Sequence, residues 1–126
     1  MKFKTKKQQD RWNNICPNGV PKWIRCYDNE GQTADRYTVV FTKKPLYVES
    51  NGARGFSYLG MSGYPFHPQG IGMHGESPNR PCDRPTYGHL GKKILFENLP
   101  EDCKKLTISD YLYLWNFTND SGQILG

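Results

Sequence analysis

The stretch from residue 60 to residue 91 constrains most strongly how this chain folds. It contains all three histidines of the chain, seven of its thirteen glycines and five of its nine prolines. Proline removes backbone donors and fixes φ, and glycine serves where a backbone turns sharply, so this composition excludes a regular helix or a central strand. Aromatic and cationic side chains are interspersed in it, unlike a flexible linker. We therefore expect an ordered, irregular loop region that forms the functional site.

Short alternating segments elsewhere predict the strands of a small sheet. Alternation together with β-branched and aromatic side chains is typical of strands. The segments with this character are Trp23–Tyr27, Tyr37–Thr42, Leu46–Val48, Phe56–Leu59 and Lys93–Phe96. The dipeptide Asn51-Gly52 predicts a hairpin between the third and the fourth of them.

Two parts of the chain predict helices. Thr5 is suited to cap a short helix over Lys6–Asn14. Pro100–Lys104 starts like a helix, and residues 107–116 place their apolar side chains on one helical face. One or two helices on a small, mainly antiparallel sheet, with the long irregular loop region, predict an α+β fold. At 126 residues we expect a single domain, residues 1–126.

The positive charge of the chain lies mainly at its amino end. Five basic residues and one acidic residue occupy positions 1–11, whereas the whole chain carries a formal charge of +5. Such a basic arm is either a solvated terminus or a non-specific contact for nucleic acid. Residues 117–126 are expected to form a polar tail.

No apolar run reaches the ~18 residues of a membrane span, and the amino end lacks the apolar core of a signal peptide. We therefore expect no membrane partner and a cytoplasmic location. In that compartment cysteines are usually reduced. Cys16, Cys26, Cys82 and Cys103 are then expected to be free thiols.

Residues 70–75 spell the pattern G-x-G-x-x-G. A dinucleotide fingerprint requires a helix directly after the glycines, and the following Glu-Ser-Pro-Asn-Arg-Pro does not open one. Two interpretations remain. The amides of Gly70–Gly75 form an anion-binding nest, or the glycines serve only to make tight turns.

Aromatic and cationic residues of the loop region suit a nucleotide-like or phosphate-bearing ligand. Stacking on bases and guanidinium contacts to phosphates use this combination. The residues expected to bind the ligand are Arg36, Tyr64, Phe66, Gly70, Gly72, His74, Arg80, Arg84 and Tyr87. The same aromatic and cationic composition also suits a protein interface.

The histidines allow two further interpretations besides hydrogen bonding to loop backbone. A small metal-dependent hydrolase or nuclease would use His67 and His74 with Asp28 and Asp35. A metal site would combine His67, His74, Cys82 and His89, although none of these lies at the close spacing of structural zinc ligands. Because no pair has diagnostic spacing, binding ranks above catalysis, and no cofactor is expected.

Three strings resemble a group of small bacteriophage and prophage proteins: IRCYDNEGQTADRYTVVF (24–41), LGMSGYPFHPQGIGMHGE (59–76) and YGHLGKKILFENLPEDCKKL (87–106). The resemblance covers roughly residues 21–115. It implies a phage accessory protein in the bacterial cytoplasm, of the kind that counters host defence by binding a defence protein or its nucleotide signal. It assigns no residue roles.

Overall fold

The computed structural model describes residues 3–32, 34–43, 58–70, 72–75, 91–118 and 122–125, with 73–75 by their backbone alone. Within these residues the structure has two α-helices and five strands. In chain order they are α1 (Lys6–Ile15), β1 (Ile24–Asp28), β2 (Tyr37–Phe41), β3 (Tyr58–Met61), β4 (Gly72–Gly75), β5 (Lys92–Ile94) and α2 (Glu101–Leu114). The strands form one sheet in the order β4-β3-β2-β1-β5, and every neighbouring pair is antiparallel. The predicted α+β fold class is confirmed.

One face of the sheet holds the main core. Cys26, Val39 and Leu59 lie side by side in register on the three central strands and are almost completely buried. Trp12 of α1 and Tyr111 of α2 belong to the same apolar cluster, so both helices pack against this face. The strand alternation directs Tyr27 and Val40 to the opposite face, where both are buried beside Tyr58.

Helix α1 begins as the sequence predicts. The Thr5 hydroxyl accepts the Gln8 N–H at 3.1 Å, and the Gln8 side chain accepts the Thr5 N–H at 3.2 Å. This reciprocal capping box satisfies donors that the first turn leaves unpaired. The helix continues to Ile15, where it buries Trp12 and Ile15 against the core.

The predicted start at Pro100–Lys104 and the predicted helix at 107–116 are parts of one helix, α2. Pro100 is its N-cap, and Glu101 and Asp102 lie in its first turn. The predicted strand at Lys93–Phe96 is shorter than expected, since β5 ends at Ile94 and Phe96–Asn98 form a single 3-10 turn. The hairpin at Asn51-Gly52 and the strand at Leu46–Val48 lie outside the described residues.

The region 60–91 is less irregular than its composition indicates. Gly60 and Met61 complete β3, an interior strand, and Gly72–Gly75 form β4 beside it. Glycine carries no side chain that would oppose an extended backbone, so its abundance does not prevent pairing with a neighbouring strand. The prediction that this region excludes a central strand is therefore wrong at its first two residues.

The prediction of a polar tail at 117–126 is also wrong for its described part. Phe117 is 1% exposed, with its ring centroid 5.4 Å from that of Trp12. The Leu125 N–H donates to the Phe117 carbonyl at 2.9 Å, and the Gln8 amide donates to the Leu125 carbonyl at 2.7 Å. Burial of the Phe117 ring outweighs the polar character of its sequence neighbours.

The basic arm 1–11 is partly a structural element. Phe3 packs on Phe117, with 5.2 Å between ring centroids, and the Arg11 guanidinium lies 4.3 Å from the centre of the same ring. Lys4, Lys6 and Lys7 are exposed. Contact of the arm with nucleic acid stays a prediction.

Candidate functional site

The segment 62–70 connects β3 to β4 through two consecutive turns. The His67 N–H donates to the Tyr64 carbonyl at 3.1 Å, and the Gly70 N–H donates to the His67 carbonyl at 2.8 Å. A Cβ at position 70 would overlap the carbonyl oxygen of Tyr64, so only glycine permits this path. The segment is called the aromatic loop below.

Contacts at both ends hold the aromatic loop against the rest of the fold. The Cys103 thiol of α2 donates to the Ser62 carbonyl at 3.2 Å. At the other end, a Cβ at Gly72 would lie 3.0 Å from the Leu106 side chain, which shows how closely α2 approaches the loop. Because α2 is itself packed on the core, the loop has a rigid support.

Two large aromatic side chains of this loop face solvent. Tyr64 is 73% exposed and Phe66 is 56% exposed. Beside them lies a cavity of about 390 Å³, whose lining comprises Ser62, Tyr64, His67, Gln69 and Gly70. Exposed rings on a supported loop beside a cavity are typical of a binding surface.

His67 has a defined tautomer at the cavity. Its Nδ1 atom accepts the Gln69 N–H at 3.1 Å. An accepting nitrogen carries no proton, so the proton of the neutral ring lies on Nε2. The imidazole therefore offers one N–H donor in addition to the hydrogen bond that it accepts from the Gln69 main chain.

Arg36 forms a two-point ion pair with Asp28. The Arg36 Nε atom lies 2.7 Å from Asp28 Oδ1, and Nη2 lies 3.1 Å from Oδ2. These hydrogen bonds hold the pKa of the Asp28 carboxyl below its usual value. The Arg36 side chain remains 43% exposed. The pair thus presents a partly satisfied guanidinium at the surface.

Tyr37 lies between this ion pair and the aromatic loop. The Arg36 guanidinium is 5.1 Å from the centre of the Tyr37 ring. On the other side, a Cβ at Gly63 would lie 4.0 Å from Tyr37 Cε2. Burial raises the pKa of the Tyr37 hydroxyl, which also experiences the charges of Arg36 and Asp28 and the neighbouring Tyr64. Arg36 and Tyr64 consequently belong to one surface region.

Two groups of the catalytic alternative, His74 and Asp28, lie far apart. In the sheet order, β4 and β1 are separated by β3 and β2. His74 lies in β4, opposite Leu59, while Asp28 ends β1. Three strand spacings separate their backbones by about 14 Å. The other predicted carboxylate, Asp35, lies partly buried in the connection before β2. The sheet does not bring His74 and Asp28 together.

The described backbone, Gly70 and Gly72–Gly75, does not form a concave nest of amides. The Gly70 N–H is bonded to the His67 carbonyl, and Gly72–Gly75 run as a strand paired with Tyr58–Met61. Successive amides of an extended strand point in opposite directions, whereas a nest directs them to one point. Gly70 contributes to the cavity wall instead, and Gly72 opens β4.

Several predicted site residues lie outside the described part of the chain. They are Arg80, Cys82, Arg84, Tyr87 and His89. Within the described residues, no group of three or more His, Cys, Asp or Glu side chains is placed to hold a metal ion. The metal site that includes Cys82 and His89 therefore stays a prediction.

Sequence reasoning did not identify Ser62, Gln69 and Tyr37 as parts of this region. Ser62 and Gln69 lie in the irregular stretch that composition singled out, so their position was the available signal. Tyr37 begins a strand that alternation explains fully. Its place between Arg36 and the loop depends on the neighbouring strand β3.

Comparison with protein-family models, with curated proteins and with solved structures gives no match to this chain. In the part of the chain that the structure describes, no helix combines the length and the apolar character needed to cross a membrane.

Proposed function

We propose that this chain is a small binding protein that takes a nucleotide-like, phosphate-bearing ligand at the 60–91 region, with the aromatic loop as its base-stacking part. The observation that carries the proposal is the exposure of Tyr64 and Phe66 beside the cavity. Because the loop is supported by α2, its exposed rings can stack on a flat ligand without a change in backbone conformation. A preformed surface of this kind lowers the entropic cost of binding.

The cavity suits one base or one mononucleotide. Its volume of about 390 Å³ lies at the lower end of the range of small-molecule sites. Three polar groups can bind the edge of a base: the His67 Nε2–H, the side-chain amide of Gln69 and the Ser62 hydroxyl. A base stacked on Tyr64 or Phe66 would present its edge to these groups.

Arg36 is a cation that the Tyr37 ring connects to the aromatic loop. Asp28 engages two of its guanidinium nitrogens, and no described residue forms a hydrogen bond with Nη1. Nη1 could donate to a phosphate oxygen while Asp28 keeps the guanidinium of Arg36 in its orientation. Arg80 and Arg84 are further proposed phosphate contacts from the sequence.

Binding is favoured over catalysis by the state of the acid–base candidates. The Asp28 carboxylate is held in a two-point ion pair with Arg36, and this pairing lowers its pKa. A carboxylate with a lowered pKa is a weak general base. A metal-dependent hydrolase that uses His67, His74, Asp28 and Asp35 is the second candidate. It requires loss of turnover on chelation of divalent metal.

The proposed setting is the bacterial cytoplasm, where a phage accessory protein would sequester a nucleotide signal of host defence. This setting rests on the three strings that resemble phage and prophage proteins. A third candidate is a protein inhibitor that covers a host defence factor without a small ligand. The 73% exposure of Tyr64 favours it, because Tyr is enriched in the cores of protein interfaces.

Isothermal titration calorimetry with AMP, ADP, cyclic AMP and inorganic phosphate tests the proposal. We expect at least one nucleotide to bind, and Tyr64→Ala with Phe66→Ala to weaken it by about tenfold or more, as the loss of stacking requires. Leu95→Ala is the matched control, since Leu95 is 63% exposed and lies beyond β5, at the other edge of the sheet.

Two outcomes contradict the proposal. Undiminished affinity in the double variant would remove the aromatic loop from the ligand site. Absence of binding to every nucleotide, together with a stable complex recovered from host lysate only with intact Tyr64 and Phe66, would favour the inhibitor.

A further inference from the structure

A second aromatic and cationic cluster lies where β1 begins and β2 ends. The Lys22 and Lys43 ammonium groups lie 4.9 Å and 4.6 Å from the centre of the Trp23 indole. The Thr42 N–H donates to the Trp23 carbonyl at 2.9 Å, which extends the β1–β2 pairing and brings the two lysines to the same end of the hairpin. This group of three residues is called the Trp23 cluster.

The Trp23 cluster carries positive charge that the described residues do not neutralise. Two lysines elsewhere in the described chain have carboxylate partners, Lys92 with Glu30 and Lys104 with Glu101. No described carboxylate forms an ion pair with Lys22 or Lys43, and both lysines are exposed. Like charges on neighbouring strand ends repel each other, so an anion at this place would relieve an unfavourable interaction.

A polar groove adjoins the cluster. The Lys22 N–H donates to the Ile15 carbonyl at 3.0 Å, which joins the cluster to the end of α1. There a cavity of about 500 Å³ opens between α1 and the turn Pro17–Gly19, with the amide side chains of Gln9 and Asn13 on its wall. Neutral amides in this groove suit hydrogen bonds to the bases of a ligand whose phosphates contact the lysines.

The cluster is separate from the aromatic loop. Asp28 and Tyr37 are paired at one end of the β1–β2 hairpin, and Ile24 and Phe41 are paired at the other. Four residues of extended strand span about 13 Å. A ligand at Trp23 is therefore independent of the mononucleotide proposed for the cavity.

We propose that Lys22, Trp23 and Lys43 form a contact site for single-stranded nucleic acid. A base stacks on the exposed part of the indole, and the flexible lysine stems move their ammonium groups from the ring to the flanking phosphates. A single strand is the fitting partner because its bases are free to stack, whereas the bases of a duplex are already stacked on each other. The site takes single-stranded DNA or RNA without sequence preference.

Fluorescence anisotropy with labelled single strands of about ten nucleotides, DNA and RNA, and with the matching duplex, tests this site. We expect binding at ~50 mM salt that weakens at ~200 mM. Lys22→Glu with Lys43→Glu should weaken it by about tenfold or more. Lys93→Glu with Lys105→Glu is the matched control, because it changes the net charge equally at two exposed lysines outside both the Trp23 cluster and the basic arm.

Trp23→Leu separates stacking from charge. This substitution keeps an apolar side chain at the edge of the core. It should weaken binding of the single strand by about fivefold and leave the salt dependence of binding unchanged. Far-ultraviolet circular dichroism on each variant confirms that it is folded, and the lysine variant tests the site if Trp23→Leu is not folded.

Three results overturn the proposal. They are no binding of either single strand by the unchanged protein, equal losses in both double-lysine variants, and duplex affinity equal to single-strand affinity. Equal losses would assign the interaction to overall charge, and equal affinity for duplex would exclude stacking on Trp23. Failure of nucleotide binding at the aromatic loop would leave this measurement unaffected.

Discussion

The hydroxyl of Tyr111 donates a hydrogen bond of 2.8 Å to the main-chain carbonyl of Ile15, at the end of α1. The same hydroxyl accepts a hydrogen bond of 3.3 Å from the main-chain N–H of Trp23. Tyr111 is completely buried, so neither bond has water as an alternative. One side chain of α2 thus joins the end of α1 to the entry of β1 and positions both the core and the Trp23 cluster.

Tyr111→Phe removes both bonds and keeps the ring in the core. We expect the free energy of unfolding to fall by about 1–3 kcal/mol. The Trp23 main-chain N–H loses its partner, and the Ile15 carbonyl, which still accepts the Lys22 N–H, loses its second donor. Urea unfolding followed by tryptophan fluorescence measures this change. Tyr64→Phe, on an exposed ring, is the control and should leave the midpoint unchanged; an equal midpoint for both variants would contradict the role of the buried hydroxyl.

The same residue predicts how stability depends on pH in alkali. Burial raises the pKa of Tyr111 from an ordinary value of 10.0 to about 12. Because the folded pKa is the higher one, the contribution is fully present below pH 10 and is lost as the pH rises towards about 12. Urea midpoints measured across this range should fall less steeply in Tyr111→Phe than in the unchanged protein.

The Asp28–Arg36 pair predicts a small effect in acid. The pKa of Asp28 lies below its ordinary value of 3.8, so its contribution is present above that value and is lost as the pH falls through the folded pKa. Because Arg36 is 43% exposed, solvent screens the pair and the effect is modest. Asp28→Asn should show less acid sensitivity of the urea midpoint between about pH 5 and pH 2, and 1 M salt should reduce the difference.

Two glycines with positive φ form a matched test of backbone packing. Gly31 has φ +86° with open space at its Cβ position, and Gly91 has φ +84° with the Asp28 carbonyl and Asn29 Cα against it. Gly31→Ala should cost about 1–2 kcal/mol for the left-handed backbone alone. Gly91→Ala adds steric overlap, and we expect about 3 kcal/mol or more. Equal urea midpoints would contradict the close approach at Gly91.

Three thiols should be unreactive in the folded protein. Burial raises the pKa of Cys16 and Cys103 to about 11 and that of Cys26 to about 12. Since the thiolate is the reactive form, N-ethylmaleimide at about pH 8 should label them only slowly. Peptide mapping by mass spectrometry should show labelling after unfolding in urea. Fast labelling of any of the three in the folded state would show that its burial is incomplete.

Elements with a strong local pattern were predictable because their stabilising interactions are close in sequence. The capping box of Thr5 and Gln8 spans four residues, and β2 is recognised from its β-branched and aromatic side chains. Helix α2 was predicted in two pieces, since Cys103 and Thr107 contribute little to an apolar pattern although both are buried. The thiol of Cys103 bonds to Ser62, forty-one positions earlier, which no local pattern indicates.

The candidate site was predictable as a region and only partly as a set of residues. Composition identified the stretch with Tyr64, Phe66 and His67, because aromatic residues interspersed among glycines and prolines can be recognised in the sequence. The pairing of Arg36 with Asp28 changes the role expected for that arginine, and it depends on the alignment of two strands. Strand register is a property of the assembled sheet.

Local patterns in the chain establish the α+β class, the helix starts and the location of the aromatic loop, since periodicity, capping and backbone preferences act over a few residues. Contacts between distant segments establish that Phe117 enters the core, that Gly72–Gly75 pair as a strand, and that two lysines meet at Trp23. Those outcomes depend on apolar burial and strand pairing between segments far apart in the chain, and such energies exist only once the segments are in contact.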